Sequence, residues 1–518
     1  MNRNEALRAI GDRSDPWDVL VIGGGATGLG AAVDAAARGY HTLLVEQHDF
    51  CKGTSSRSTK LIHGGIRYLA QGRVNLVQTA LFERELLLRN APHLVHDMAF
   101  VIPAYSLWEL PFYFSGLKAY DLLAGKYRRA GAQWLSRRET LERCPTLIEN
   151  NLRGGILYHD CQFDDARLAV ALARTLVDLG GTAANYLRVA GLIKSDGIVC
   201  GALLHDVETG NEFDIRARVV INATGVFADD VRRMDEPAAR RLMTPSQGIH
   251  AVLDRAALPG DCAVVVPHTD DSRVLFAIPW HGKVLLGTTD TPVSEAQLEP
   301  RPLGEEIDFL LANAGRYLRA LPRRGEIVSL YAGLRPLVAD PKSRSTAATS
   351  RDHHIEISAS GLVTITGGKW TTYRHMGENV VDVAARAAGL PVRLCGTREL
   401  RLHGWRAELD PHEPLTVYGS EAPAIMKLAA GRAELGSLLH PRLPYLKAEV
   451  VWSARHEMAR TPEDVLARRT RALFLDARAS IEAAPVVAEL MAGELGMGPE
   501  WVSRQVAAYG DVAAGYVA

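Results

Sequence analysis

Three glycines and an acid carry the first recognisable chemistry in this sequence. Gly23, Gly25 and Gly28 stand in GxGxxG spacing within a loop completed by Gly24, Ala26 and Thr27. The apolar run Asp18 to Ile22 precedes the loop and an alanine-rich stretch, Ala31 to Arg38, follows it before Gly39. This order predicts a strand, a tight glycine turn and a helix whose N-terminus faces a pyrophosphate. Gly23 permits the turn, Gly25 lets the backbone approach the phosphates, and Gly28 allows the helix to pack on the strand. A second strand, Thr42 to Val45, delivers Glu46 where an acid accepts ribose hydroxyls, which argues against a phosphorylated ribose. The unit predicts ADP recognition but does not separate FAD from NAD, since both present the same half to it.

The segment after Glu46 narrows the choice. Gly53 to Leu69 reads GTSSRSTKLIHGGIRYL, with small and hydroxyl residues suited to a diphosphate and a flavin edge. In order along the chain follow FDDARL at 163–168, VVINATG at 219–225, SQGIH at 246–250, GTTD at 287–290, YAGLRPL at 331–337, TGGKWTTYR at 366–374 and TPEDVLARRTR at 461–471. Together these resemble the membrane-associated, FAD-dependent glycerol-3-phosphate dehydrogenases and the related glycerophosphate oxidases, over nearly the whole chain. One departure is Arg57, which stands where that family carries a small residue.

The resemblance implies bound FAD and oxidation of glycerol 3-phosphate to dihydroxyacetone phosphate. Thr54, Ser55, Ser56, Lys60, Leu61, His63, Gly64 and Gly65 are then expected along the cofactor, joined by Ala223, Thr224, Gly225, Gly368, Lys369 and Thr371. Moving a hydride from a secondary alcohol to flavin needs a base for the hydroxyl proton. His250 is the candidate base, against the alternative that it only hydrogen-bonds the substrate; His63, ahead of two glycines, suits flavin packing better. A phosphate carrying roughly 1.5 to 2 negative charges calls for arginine forks, and Arg67, with Tyr68 beside it, and Arg335 are the candidates. Lys369, at the start of an expected helix, suits either the electron-rich edge of the reduced flavin or the substrate phosphate, with Thr371 and Thr372 adding hydrogen bonds.

These residues need elements to hold them. Parallel-strand signals near 18–45, 219–225 and 362–366 predict an α/β, Rossmann-like FAD-binding domain assembled from 1–90, 150–240 and 335–395. Alternating runs such as Val264 to Val266 and Val274 to Ile278 predict an interleaved antiparallel-sheet substrate domain from 90–150 and 240–335. From 396 to 518 helical patterns dominate, with Thr461 as a cap, Pro462 at the first helical position and acids in the first turn. Asp340 to Ser350 has turn composition.

At 518 residues, with 59 Lys plus Arg against 60 Asp plus Glu, the chain is large enough for several domains and has no excess charge to suggest nucleic acid. Six cysteines without metal-ligand spacing suggest a reducing compartment and no metal. The polar N-terminus and the lack of a long apolar run predict a cytoplasmic protein, peripheral on the inner face of the cell membrane. Tyr105 to Gly125, with Trp108, Phe112, Tyr113, Phe114 and Tyr120, suits a bilayer interface and equally an apolar lid. A membrane quinone is the expected electron acceptor, with oxygen, in a peroxide-forming oxidase, as the alternative and a non-catalytic FAD scaffold as the distant one. A homodimer is left open.

Overall fold

The computed structural model describes residues 1–69, 72–271, 273–339, 352–407 and 415–518, with the backbone but not the side chain of Arg67. The turn expected at Asp340 to Ser350 lies outside the described residues.

Two large sheets organise the molecule. In the first, Trp17–Ile22 is flanked in parallel by Thr42–Val45 and Glu212–Asn222, and Val363–Gly367 extends the sheet in parallel beyond the latter. Val19, Leu20 and Val21 are buried, as strands covered on both faces must be. The helices Ala26–Ala37 and Tyr373–Ala387 cross where both chains lack side chains: a Cβ on Gly30 would meet the Tyr373 carbonyl oxygen at 2.7 Å, and one on Gly377 the Gly30 oxygen at 2.5 Å. Their contact brings the segment after Lys369 against the dinucleotide helix. The antiparallel pair Leu187–Ser195 and Ile198–Asp206 continues the sheet through Glu212–Asn222.

The second sheet has ten strands and is mostly antiparallel, with one parallel pairing between Ala263–Val266 and Val95–Ala104. Gly154–Phe163, within a segment that the sequence assigns to the FAD part, hydrogen-bonds in this second sheet instead. Its run of buried residues looks like a parallel strand, but all three strands that pair with it, Leu61–Ile62, Val95–Ala104 and Gln133–Ser136, run antiparallel to it. The register matters for chemistry. His250 lies opposite Gly287 on one neighbour and Tyr331 on the other, and Ser246 lies opposite Arg335.

The C-terminal part is helical, with Ala477–Leu495 packed against Pro499–Ala513 and Lys447–His456. Thr461 caps its expected helix by accepting a hydrogen bond from the Asp464 N–H, but Asp464–Arg469 winds as a π-helix, with the Thr470 N–H reaching the Val465 carbonyl at 2.8 Å. Arg468, Arg469 and Arg471 leave this turn fully buried against the FAD part. Asp49 accepts from Arg468 at 2.5 Å and from Arg469 at 2.7 Å, and Asp165 accepts from Arg471 at 3.0 Å. Among the described residues no helix is long and apolar enough to cross a membrane.

Candidate active site

The dinucleotide turn has the geometry its glycines imply. Gly23 has φ +109°, and a Cβ on Gly28 would fall 1.9 Å from the Gly23 carbonyl oxygen, so neither position takes a side chain. Glu46 is fixed at its strand end by two backbone donors, Gly24 N–H at 2.7 Å and His48 N–H at 2.9 Å. Its carboxylate is thereby oriented before any hydroxyl reaches it. Ser55 Oγ accepts from Ala26 N–H at 2.9 Å, at the open N-terminus of the helix Ala26–Ala37. A crevice of about 220 Å³ runs along Gly25, Glu46, Thr54, Ser55, Thr224 and Gly225. The glycine cradle, the fixed acid and the helix N-terminus fit an ADP moiety.

Thr54, Gly368, Lys369 and Trp370 also line a second, larger cavity of about 1060 Å³ between the two sheets. Its polar wall brings His250, Arg335 and Lys369 together, as their motifs suggested, with Tyr68, Leu61, His63 and Thr371 beside them. His250, 3% exposed, stacks on Tyr331 with ring centroids 4.7 Å apart and interplanar angle 14°, and its Nε2 lies 3.0 Å from Thr59 Oγ1. Burial above all, then the nearby Lys60 and Arg335 cations, hold the imidazole well below its ordinary range, so it is neutral near pH 7. A neutral imidazole is competent to take a proton.

Arg335 is aimed by a set of acceptors: Asp290 Oδ1 at 3.0 Å, Thr289 O at 2.7 Å and Thr288 Oγ1 at 3.2 Å. The other Asp290 oxygen is held by Arg273 at 2.7 Å, and Ser246 donates to the same carboxylate. Arg273 and Asp290 both line the cavity. Lys369 Nζ lies 3.7 Å over the Tyr68 ring, and the loop behind it is tied down by Trp370 Nε1 donating to Ser55 O at 2.8 Å. Thr371 Oγ1 accepts from His63 N–H at 3.4 Å, and the Thr372 hydroxyl turns back to Lys369 O.

Of the residues between Thr54 and Gly65 expected along the cofactor, Ser56, Lys60 and Gly64 line neither cavity. The Lys60 side chain is fully buried behind the cavity wall, with its ammonium 2.6 Å from Asp165 and 2.7 Å from Ser56 O. An unpaired ammonium at such a depth is prohibitive, so the chain partner decides where it goes. Ser56 is buried and uses its carbonyl on Lys60 and Arg471, and Gly64 gives its N–H to Tyr120 Oη at 2.9 Å. The Arg67 side chain lies outside the described residues. Arg57 pairs with Glu299 at 2.6 Å, anchoring the flavin-side loop to a surface loop of the second domain.

Sequence reasoning missed Arg273, Asp290, Thr59 and Tyr331. Asp290 and Tyr331 stand inside the GTTD and YAGLRPL motifs, whereas Arg273 has no sequence signal at all. The other side of the cavity is apolar. Phe100, Ile102, Val274 and Phe276 face Pro111, Phe112 and Leu117 of the helix Glu109–Ala124, which lies at the cavity's edge. Leu107, Trp108 and Phe112 around this helix start are 72%, 60% and 63% exposed.

Comparison with known proteins agrees with this geometry. Residues 18–374 match the family model "FAD dependent oxidoreductase", and residues 370–501 match "C-terminal domain of alpha-glycerophosphate oxidase". The chain is 42% identical to a probable mitochondrial glycerol-3-phosphate dehydrogenase of Caenorhabditis elegans, over 93% of this chain and 71% of that protein. It is also 42% identical to the mitochondrial glycerol-3-phosphate dehydrogenase of Homo sapiens, over 95% of this chain and 72% of that protein. The crystal structure of the glycerol-3-phosphate dehydrogenase from Bacillus halodurans complexed with FAD superposes with a TM-score of 0.82 at 31% identity, covering 100% of this chain and 98% of that one. With the ADP cradle, the two-sheet architecture and the C-terminal helical domain all in place, the chain belongs to the FAD-dependent glycerol-3-phosphate dehydrogenase family.

Proposed function

We propose that this enzyme oxidises sn-glycerol 3-phosphate to dihydroxyacetone phosphate and passes the electrons to a membrane quinone. The observation that carries the reading is the placement of neutral His250 beside Arg335 and Lys369 in one cavity that adjoins the ADP crevice. FAD bound along Gly25, Glu46 and Thr224 supplies the two-electron acceptor. His250 takes the hydroxyl proton of the substrate. Arg335, aimed by Asp290 and Thr289, and Lys369 hold the phosphate and so fix the secondary carbon. Arg273, sharing Asp290 with Arg335, keeps that carboxylate from competing with the phosphate.

The exposed aromatic helix at the cavity edge supports the quinone. Trp108 and Phe112 gain free energy at a headgroup boundary, and the apolar side of the cavity opens beside them, so an apolar acceptor has a route that avoids water. Glycerol 3-phosphate added anaerobically to the yellow holoenzyme is expected to bleach its flavin absorbance, and a spectrum that does not change refutes the activity. Sedimentation with membranes and faster reduction of a quinone analogue than of oxygen test the acceptor. Stoichiometric peroxide from a freely soluble protein establishes the oxidase instead.

A further inference from the structure

Lys60 lies one layer below the cavity, and two of its contacts, the Tyr331 ring and Asp165, lead to His250. Its ammonium is 5.2 Å from the centroid of the Tyr331 ring, the same ring on which His250 stacks at 4.7 Å. Its partner Asp165 also accepts from the Ser58 backbone N–H at 3.1 Å and from Ser58 Oγ at 2.7 Å. Tyr331 Oη donates to Ser58 O at 2.9 Å, and the next residue, Thr59, meets His250 Nε2 at 3.0 Å. Segment 58–59 is thus clamped from below by the Lys60–Asp165 pair and touches the imidazole from its other end.

We propose that Lys60 is a positioning residue for His250: with Asp165 it fixes the Ser58–Thr59 segment that orients the imidazole, and its charge disfavours a second cation on that imidazole. The proposal rests on the reading of His250 as the base.

The ionisable groups around the imidazole are few. Tyr331 covers one face, Arg335 with Asp290 stands on the cavity side, and Lys60, Asp165 and Arg471 lie a layer deeper. Arg471 is shared between Asp165 and Asp164, so the deeper layer sets two cations against two acids, with the Lys60 ammonium as the charge placed over the ring that His250 stacks on. Burial brings the Lys60 ammonium down to about 7, with Asp165 opposing that fall, so the cation is present over the acid range in which a histidine gains its proton. The ammonium and the imidazole lie within about 10 Å of each other across the shared ring, a separation at which one charge moves a titration by about one pH unit.

The test is the pH dependence of kcat/KM for the flavin-loaded enzyme in four forms: wild type, Lys60→Gln, Lys60→Arg and His250→Asn. Lys60→Gln keeps donors for Asp165 but loses the charge, so its acid limb is expected to move up by about one pH unit. Lys60→Arg is expected to return the limb toward the wild-type position. A limb unmoved in folded, flavin-loaded Lys60→Gln overturns the electrostatic role, whereas a limb that survives in His250→Asn overturns the reading of His250 as base. Thr59→Val leaves the buried pair intact and supplies a second arm if Lys60→Gln does not fold. It is expected to lower kcat about tenfold with KM little changed, and an unchanged kcat overturns the positioning role.

Discussion

Replacing Arg335 by alanine separates phosphate recognition from everything else the cavity does. The guanidinium is held by Asp290, Thr289 O and Thr288 Oγ1, and removing it leaves Asp290 still paired with Arg273 at 2.7 Å. No orphaned buried acid is created, and the internal cost common to both substrates, from the donors lost to Thr289 O and Gln247 O, cancels when the two are compared. A charge-assisted hydrogen bond of this kind contributes about 1.5 to 3 kcal/mol, which is a fall of about 10- to 150-fold in kcat/KM for glycerol 3-phosphate. Unphosphorylated glycerol has nothing for the fork to bind and is expected to lose about twofold or less. Arg335→Lys keeps the charge without the planar fork and recovers part of the difference. The assay is steady-state reduction of a soluble dye by flavin-loaded enzyme with each substrate. Equal losses for the two substrates refute the assignment, because they place Arg335 at the reacting end or in the fold.

Gly28→Ala is expected to yield protein without FAD, read as the ratio of flavin to protein absorbance, since its Cβ would fall 1.9 Å from the Gly23 carbonyl oxygen. Leu107→Ser with Trp108→Ser is expected to release the protein from liposomes in flotation while leaving its bound flavin in place, both side chains being more than half exposed at the start of the apolar helix. Asp49→Asn leaves Arg468 and Arg469 facing an amide in the interior and is expected to destabilise the protein by about 3 to 5 kcal/mol, seen as a large fall in Tm. Glu457 and Glu463 are each held down to about 2 by their arginine and lysine partners against the opposing effect of burial. A depressed carboxylate stabilises fully above its unfolded value near 4.5 and loses that contribution as pH falls through about 2, so unfolding free energy is expected to decline between those limits by about 3 kcal/mol for each group. A flat profile over that range refutes the assignment.

The parts of the site that lie within one short stretch were legible in the sequence. Gly23, Gly25, Gly28 and Glu46 are fixed by local turn and strand geometry, and their spacing carries their roles. His250, Arg335 and Lys369 were legible through motifs, and the register of three adjacent strands and one loop brings them to one wall. Lys60 misled for a physical reason. Its motif lines the two cavities, but its charge is settled by Asp165, 105 residues away, and no pattern local to Lys60 specifies that partner. Arg273 was illegible likewise, because only the folded approach to Asp290 distinguishes it from a surface arginine. The pairing of Gly154–Phe163 with the second sheet was not legible, because an apolar run does not say which strands will flank it.

The seam between Asp49, Asp165 and the arginines at 468, 469 and 471 has a consequence for how the protein comes to exist in a cell. Asp49 follows the dinucleotide motif almost at once, so it emerges from the ribosome more than four hundred residues before the cations that neutralise it. Until then the nascent flavin domain holds in Asp49 an acid that its interior cannot accept as a bare charge, whereas Asp165 already has Lys60. Synthesis of the last helices therefore closes the first domain as well as adding a new one, and a messenger truncated before Thr461 encodes every glycine of the cofactor cradle yet no chain able to seal it.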